Sequence, residues 1–496
     1  MSERSRTRPR TLSDGYVVAL LALTTVVARL PFLADAPGLD EAGYLLVGHQ
    51  WTAGGTSLYG NFWVDRPPLL ITLFRLAALT GGLLPLRLLG CLAVVLVVVG
   101  AALVARQVAG ELAGRWAAVA AAVLCVSPLL GGMEVNGELL SAPFVLGGMA
   151  AALAALRAER HRRVVVSASL AGAATVAALL VKQNFADVAV FATVVFVLAR
   201  RRGEISRARL GRIVVGYVVG AAVCLGAIAA WTLLHGTSLT GVFDAMYPFR
   251  IRAGQVLAAT DRQSASGRLW GLLGCWLLSG CAIVMAFIAW GVTSRRMRDV
   301  ASWGLVATVI FDVMSIVLGG GYWLHYLVQL IGPVSIAAGV LVARRQPGTR
   351  TLLGIAAVSA VIAWGLAVPK VGDSTGSTIG HAVAKAAAQG DTIITVYGHS
   401  EVTFTSGLSS PYPYLWSLPG KTLDPQHRTL DRILRGPSAP TWFVTWDQIA
   451  TPGAATKTTG QLIMRRYHRV ARFDGRTIYL RNGVVRPALS LPRTLA

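Results

Sequence analysis

Long apolar runs alternate with short, arginine-bearing breaks through the first three quarters of the chain. Runs close to the roughly 20 residues needed to cross a hydrocarbon core lie near 16–33, 86–105, 115–132, 139–156, 164–181, 185–199, 213–234, 269–292, 300–318, 327–343 and 351–368. The stretch 67–84 is also apolar, but it is short, holds Arg75 and ends in Gly81-Gly82. Beyond 368 the pattern changes. Strand-like runs at 392–397 and 441–445 alternate with helical ones near 379–388, 427–435 and 459–467, and a hairpin follows with Asp474-Gly475 as its turn. The pattern predicts a polytopic α-helical membrane protein with a small α/β domain at its C-terminal end. Its expected parts are a basic tail (1–13), a transmembrane domain (14–368, with a first outer loop and interfacial helices over 34–84) and a soluble domain (369–496).

Composition agrees with this reading. Hydrophobic residues make up 54% of the 496 and charged residues 14%, against about 25% charged in soluble domains. The net charge of +23 would suit nucleic acid only if it were gathered on one solvated face. It falls instead in clusters between apolar runs, so no nucleic-acid partner is expected. Cys91, Cys125, Cys224, Cys275 and Cys281 all lie within apolar runs and read as small core residues, with no disulfide framework.

Charge also sets the topology. If 67–84 lies along the interface, Arg106/Arg115, Arg157–Arg163, Arg200–Arg212, Arg295–Arg298 and Arg344–Arg350 all fall on the side of the basic N-terminal segment with Arg4, Arg6, Arg8 and Arg10. If it crosses, every later cluster moves outside, against the positive-inside rule. About eleven spans follow, with an uncleaved first span, the N-terminus in the cytoplasm and the C-terminus outside.

That topology collects the unusual polar residues on the outer face. Asp40 and Tyr44 share one side of a helix over 40–53, while Glu41 points about 100° away. One carboxylate then faces a cavity as a general base while the other caps the helix or pairs with Arg; a plain N-cap is the alternative for Asp40. Glu134 and Glu138, stacked at i, i+4 on a helix, fit a divalent cation such as Mg or Mn, a basic group, or a solvated loop. Lys182, followed by Gln183 and Asn184, suits a phosphate as a point charge or a snorkel to the interface. His325 would share a helical face with Tyr322 in an aromatic tip that also carries Trp323 and Tyr326, where a belt role competes. Arg250, Arg252 and Arg262 lie outside against the charge rule, beside Tyr247 and Phe249, and suit a lipid phosphate or a solvated loop. Tyr397, His399 and Glu401 follow a predicted strand and suit either an acceptor contact or an ordinary loop.

The set Asp40-Glu41 with Tyr44, Arg66-Pro67-Pro68-Leu69, Asn136-Gly137-Glu138-Leu139, Lys182-Gln183 and the Tyr322/His325-Tyr326 tip followed by Pro333 resembles the GT-C membrane glycosyltransferases. Within that superfamily the chain looks like bacterial relatives of protein O-mannosyltransferase, aminoarabinose transferase and lipopolysaccharide galacturonosyltransferases. The likeness spans about 14–345. It implies inverting transfer of a sugar from a polyprenyl-phosphate-linked donor to an envelope glycan, glycolipid or protein, on the outer face of a bacterial plasma membrane. Asp40 is then the candidate base, with Glu41 as the competing acid, and Arg66, Lys182, His325 and Tyr322 are candidates for the donor phosphate. Tyr44, Glu138, Gln183 and Tyr326 are candidates for substrate contacts, and Glu134 with Glu138 for a metal. The chain departs from many relatives in carrying Asp65-Arg66 where they have Glu-Lys, and two Glu residues compete for the second-loop acid. A transporter or flippase of lipid-linked sugars is the competing class, since buried ionisable residues mark transport paths too. It predicts polar groups deep in several spans and internal symmetry.

Overall fold

The computed structural model describes residues 14–260, 262–446 and 454–492; the side chains of Asp14, Thr260, Arg262 and 454–456, and the arginines near the N-terminus, lie outside that description. In chain order the helices are α1 (Asp14–Arg29), α2 (Leu39–Gln50), α3 (Pro68–Leu79), α4 (Leu83–Ala109), α5 (Glu111–Val126), α6 (Gly137–Arg157), α7 (His161–Val181), α8 (Asp187–Arg201), α9 (Arg207–Leu234), α10 (Leu239–Met246), α11 (Pro248–Thr260), α12 (Arg262–Leu278), α13 (Cys281–Thr293), α14 (Val300–Leu318), α15 (Val328–Ala343) and α16 (Thr349–Ala367). Among the described residues eight helices are long and apolar enough to cross a membrane, or nine if the bent pair α12–α13 forms one span. The expected figure of about eleven needs α5 and α8 as well. These have 16 and 15 residues, or roughly 24 and 22 Å at 1.5 Å per residue.

Two departures from the apolar pattern have local causes. The run 269–292 is not one rod: α12 and α13 meet at 65°. A Ser279-Gly280 pair makes the break, Gly280 adopts φ 78°, and Ser359 Oγ donates to the freed Leu278 carbonyl at 2.6 Å. The loop expected over 235–268 is largely helical, as α10, α11 and the start of α12. The stretch 67–84, by contrast, yields a 12-residue helix, α3, about 18 Å long and too short to span a core of roughly 30 Å. It packs on α2, with Arg75 Nη1 donating to the Gly48 carbonyl at 3.0 Å.

Helix pairs close on small residues, as apolar surroundings require when no hydrophobic drive exists between helices. A Cβ at Gly220 would lie 1.8 Å from the Ser169 carbonyl oxygen and one at Gly172 1.9 Å from that of Tyr217, so α7 and α9 touch backbone to backbone. The two ends of the bundle differ in chemistry. At one end the basic loops interlock: Arg209 donates to the Leu156 carbonyl at 2.8 Å, Arg202 to that of Arg298 at 2.9 Å, Arg344 pairs with Asp299 at 2.6 Å, and Arg350 lies over Trp116. The other end carries α2, α3 and the mixed polar groups described below.

The C-terminal portion adds α17 (Thr375–Ala386), β1 (Ile393–Thr395), α18 (Ser400–Ser406), α19 (Ser417–Leu423), α20 (Arg428–Arg435), β2 (Trp442–Thr445), α21 (Ala454–Arg466), β3 (Tyr467–Phe473) and β4 (Arg476–Arg481). The sheet runs β1-β2-β4-β3, with β1 and β2 parallel and the other pairs antiparallel. Asp474 and Gly475, both at positive φ, make the two-residue turn between β3 and β4 that suits strand twist. This layer seats on the segment between α1 and α3. Trp63 N donates to the Pro413 carbonyl at 3.0 Å, Ala36 N to that of Gly372 at 3.0 Å, and Ser400 Oγ to that of Leu39 at 2.6 Å.

Candidate active site at the polar end of the bundle

The site begins at the N-terminus of α2. Gly38 is extended, and Glu41 closes a capping box by accepting from the Gly38 amide at 3.2 Å. The same carboxylate accepts from the Val135 amide at 3.0 Å and pairs with Arg87 of α4 at 2.8 Å, both side chains buried. Arg87 also donates to the carbonyls of Leu33, Asp35 and Ala36. Glu41 is thus saturated by structural partners and ties α2 to α4 and to the loop before α6. This leaves Asp40, one residue earlier, half-buried on the other side of the helix. Its Oδ1 accepts from Trp416 Nε1 at 2.8 Å, so a side chain from the C-terminal layer orients it. Trp416 packs on Tyr44 with ring centroids 5.0 Å apart. It also presses on Gly43, where a Cβ would lie 2.4 Å from the indole.

A chain of charges continues from there. Arg66 Nε donates to the Tyr44 hydroxyl at 2.7 Å, and Arg66 Nη1 meets Asp65 Oδ1 at 2.8 Å. Asp65 Oδ2 takes Arg250 Nε at 3.0 Å. Burial alone would raise the Asp65 carboxyl, but Arg250 and then Arg66 outweigh it and hold it below the ordinary range. The Gln183 amide oxygen lies 3.2 Å from the Arg250 guanidinium in the orientation that satisfies both groups. Lys182, at the end of α7, pairs with Glu138 at 2.8 Å and lies over the Tyr326 ring at 5.7 Å. His325 Nε2 stands 3.8 Å from the same Glu138 oxygen.

These groups border a cavity of about 520 Å³. Its lining joins Glu138, Lys182, Gln183, Arg250 and Tyr326 to an apolar side that includes Leu257, Ile316 and Leu318. Asp40, Arg66 and His325 stand outside that lining but within electrostatic reach of one another, and Asp40 and Arg66 are within reach of Tyr326.

Two expectations are corrected by the geometry. Glu134 and Glu138 do not stack on one helix, because α6 starts at Gly137 and Asn136 caps it. Glu138 turns to Lys182, whereas Glu134 lies against Gly38, where a Cβ would be 2.2 Å from its carboxylate. Glu134 keeps solvent exposure, yet crowding by protein, with Glu41 and Asp40 adding repulsion, raises its carboxyl to about 7. Among the described residues no three His, Cys, Asp or Glu side chains come together as a metal set. Tyr322 shares no helical face with His325: it precedes the short 3-10 helix Leu324–Leu327, adopts φ 51°, and its hydroxyl donates to the Val317 carbonyl at 3.4 Å. It is not part of the cavity lining. The rest of the outer-arginine and tail set scatters. Arg252 is exposed, Arg262 lies outside the described side chains, and His399 pairs with Glu401 at 2.9 Å while stacking on Trp446.

Sequence reasoning missed Trp416, Arg87 and the Ser315–Gln329 side of the cavity. Arg87 sits inside an apolar run, and an arginine there is itself a signal of a buried partner. Nothing local in the sequence marks Trp416, which reaches Asp40 only because the C-terminal layer folds back 376 positions along the chain.

No protein-family model matches the chain, and no curated protein matches it. Solved structures do. ArnT from Cupriavidus metallidurans bound to undecaprenyl phosphate superposes with TM-score 0.64 at 15% identity, covering 94% of this chain and 98% of that one. The Archaeoglobus fulgidus oligosaccharyltransferase complex with zinc and sulfate gives TM-score 0.56 at 14% identity, covering 94% and 73%. AglB from the same organism, with an inhibitory peptide and a dolichol-phosphate, gives 0.54 at 12%, covering 95% and 74%. Over nearly its whole length, this chain shares the fold of ArnT and of the Archaeoglobus fulgidus oligosaccharyltransferase.

Proposed function

We propose that the protein transfers a sugar from a polyprenyl-phosphate-linked donor to an acceptor hydroxyl at the polar end of the bundle. The observation that carries this reading is the cavity itself. It sets cations, Lys182 and Arg250, beside an apolar side, and the oriented, half-buried carboxylate of Asp40 lies within electrostatic reach of Tyr326 in its lining. A lipid phosphate needs all of that: positive charge for its head, apolar surface for its chain, and a base within reach of the incoming hydroxyl. Solved structures of the same fold hold undecaprenyl phosphate and dolichol-phosphate.

In this reading Asp40 takes the acceptor's hydroxyl proton as that oxygen bonds to the anomeric carbon. The bond from that carbon to the phosphate oxygen breaks, and the phosphate leaves with the electron pair, met by Lys182 and the Arg66–Arg250 pair. Attack opposite the leaving group inverts the centre. Glu138 holds Lys182 and His325 in place, Tyr44 and Tyr326 wall the site, Gln183 steadies Arg250, and Glu41 acts only by fixing α2. The acceptor belongs to the cell envelope, and the basic-loop end of the bundle faces the cytoplasm of a bacterial plasma membrane, which leaves the site and the C-terminal layer outside. The gathering of charge at one end, under a docked layer, favours transfer over passage through the bundle.

The test is Asp40→Asn in the purified protein. Turnover of an undecaprenyl-phosphate sugar should fall roughly 10²–10⁴-fold, the range for a lost acid–base group, while binding of undecaprenyl phosphate stays unchanged. Full turnover in the folded variant would overturn the base assignment.

A further inference from the structure

Beneath the cations, the cavity has a third kind of surface. Asn184, Ser315 and Gln329 line it with neutral polar groups. Asn184 Nδ2 donates to Ser315 Oγ at 2.8 Å and to Gln329 Oε1 at 3.2 Å. Gln329 Nε2 in turn donates to Asp312 Oδ1 at 2.9 Å. Asp312 is buried, and the carboxyl of Asp187 at the start of α8, buried as well, lies beside it. Asp312 Oδ2 and both Asp187 oxygens find no donor among the described residues. Asp312 Oδ1, which takes the Gln329 amide, is the acceptor at the foot of the chain.

The direction of the whole chain follows. An acceptor at Asp312 Oδ1 fixes the nitrogen of Gln329 toward it, which turns the Gln329 oxygen outward to accept from Asn184. The Asn184 nitrogen is thereby committed inward, and its carbonyl oxygen is left for the cavity. The amides, whose two ends look alike in shape, are held in one orientation by an acid pair below them.

We propose that the Asn184–Ser315–Gln329 wall is the subsite for the sugar of the lipid-linked donor, with its hydrogen-bonding polarity set from beneath by the Asp312–Asp187 pair. This rests on the donor reading above. Lys182 and Arg250 suit the phosphate, and Leu257, Ile316 and Leu318 suit the prenyl chain. A neutral wall presenting amide oxygen suits the O–H and N–H hydrogens of a sugar and nothing else on such a lipid. Asn184 is a binding residue in this account, and Asp312 and Asp187 are positioning residues acting through Gln329.

The experiment compares bare undecaprenyl phosphate with undecaprenyl-phosphate hexose, pentose and aminosugar, binding to the full-length protein in detergent. Wild type should bind at least one sugar-bearing lipid more tightly than the bare one. Asn184→Leu should weaken that lipid about tenfold or more, one to two lost hydrogen bonds, and leave the bare lipid within about twofold. Asp312→Asn, which can donate to the Gln329 oxygen and reverse the chain, should raise KM for the sugar lipid with less change in kcat. Asn184→Ser, smaller but still polar, should recover part of the loss. Equal loss of both lipids in Asn184→Leu, or no gain from any sugar in wild type, overturns the sugar subsite while leaving the donor reading standing. Failure of wild type to bind undecaprenyl phosphate at all overturns the donor reading and this inference with it.

Discussion

Adjacent carboxylates at the start of α2 have opposite fates, and the difference is one of partners. Glu41 is enclosed by Arg87 and two backbone amides, whereas Asp40 has an indole N–H on one oxygen and is only half-buried. Glu134, close to both, is an acid whose pKa in the fold, about 7, exceeds its ordinary 4.5. Such a group favours the fold at pH below 4.5, and that contribution is lost as pH rises through 7. Glu134→Gln removes the dependence. Thermal melts of the detergent-solubilised protein should show the variant gaining on wild type between pH 5 and pH 8, and a gap that does not change with pH would contradict the assignment. Asp65 runs the other way: its depressed pKa gives stability present at neutral pH and lost only under acid conditions.

At the scale of elements, the Glu41–Arg87 pair is what joins α2 to the bundle. Both side chains are out of water, so removing one partner strands a buried charge. Arg87→Leu should destabilise by about 3–5 kcal/mol, and adding Glu41→Leu should recover a large part of that. A single and a double variant that melt alike would show that the two groups do not act as a pair. The elements were also where the sequence was most legible. Spanning helices announce themselves because lipid forces every backbone group into internal hydrogen bonds, and runs of about 20 apolar residues leave few alternatives. The α3 helix was readable as too short to span, and Asp474-Gly475 as a hairpin turn. The 65° break at Ser279-Gly280 was not, since small residues are ordinary in apolar helices. Glu134 and Glu138 also misled, because i, i+4 spacing stacks side chains only once a helix has started, and here it starts at Gly137.

At the scale of the whole molecule, the site exists because distant segments converge. Asp40, Asp65, Glu138, Lys182, Arg250 and His325 come from six separate stretches, and one topology brings them to one end. Their shared end could be inferred from charge alone. The contacts could not, because Trp416 on Asp40 and Asn184 on Gln329 depend on how the layers dock. The account also fixes an orientation. Single cysteines introduced at Arg201, in the basic-loop end, and at Ser438, on the C-terminal layer, into a variant lacking the five native cysteines should label from opposite sides of the intact cell membrane. Only Ser438→Cys should react with an impermeant maleimide added outside; labelling of both, or of Arg201→Cys alone, would reverse the topology.

A cryo-electron microscopy map of the purified protein with undecaprenyl phosphate tests the donor site. Phosphate density should lie in contact with Lys182 and Arg250, with the prenyl chain running along Leu257, Ile316 and Leu318 and Asp40 facing the same space. Lipid bound elsewhere between the spans, with the Lys182–Glu138 pair undisturbed and no phosphate beside it, would contradict the donor reading.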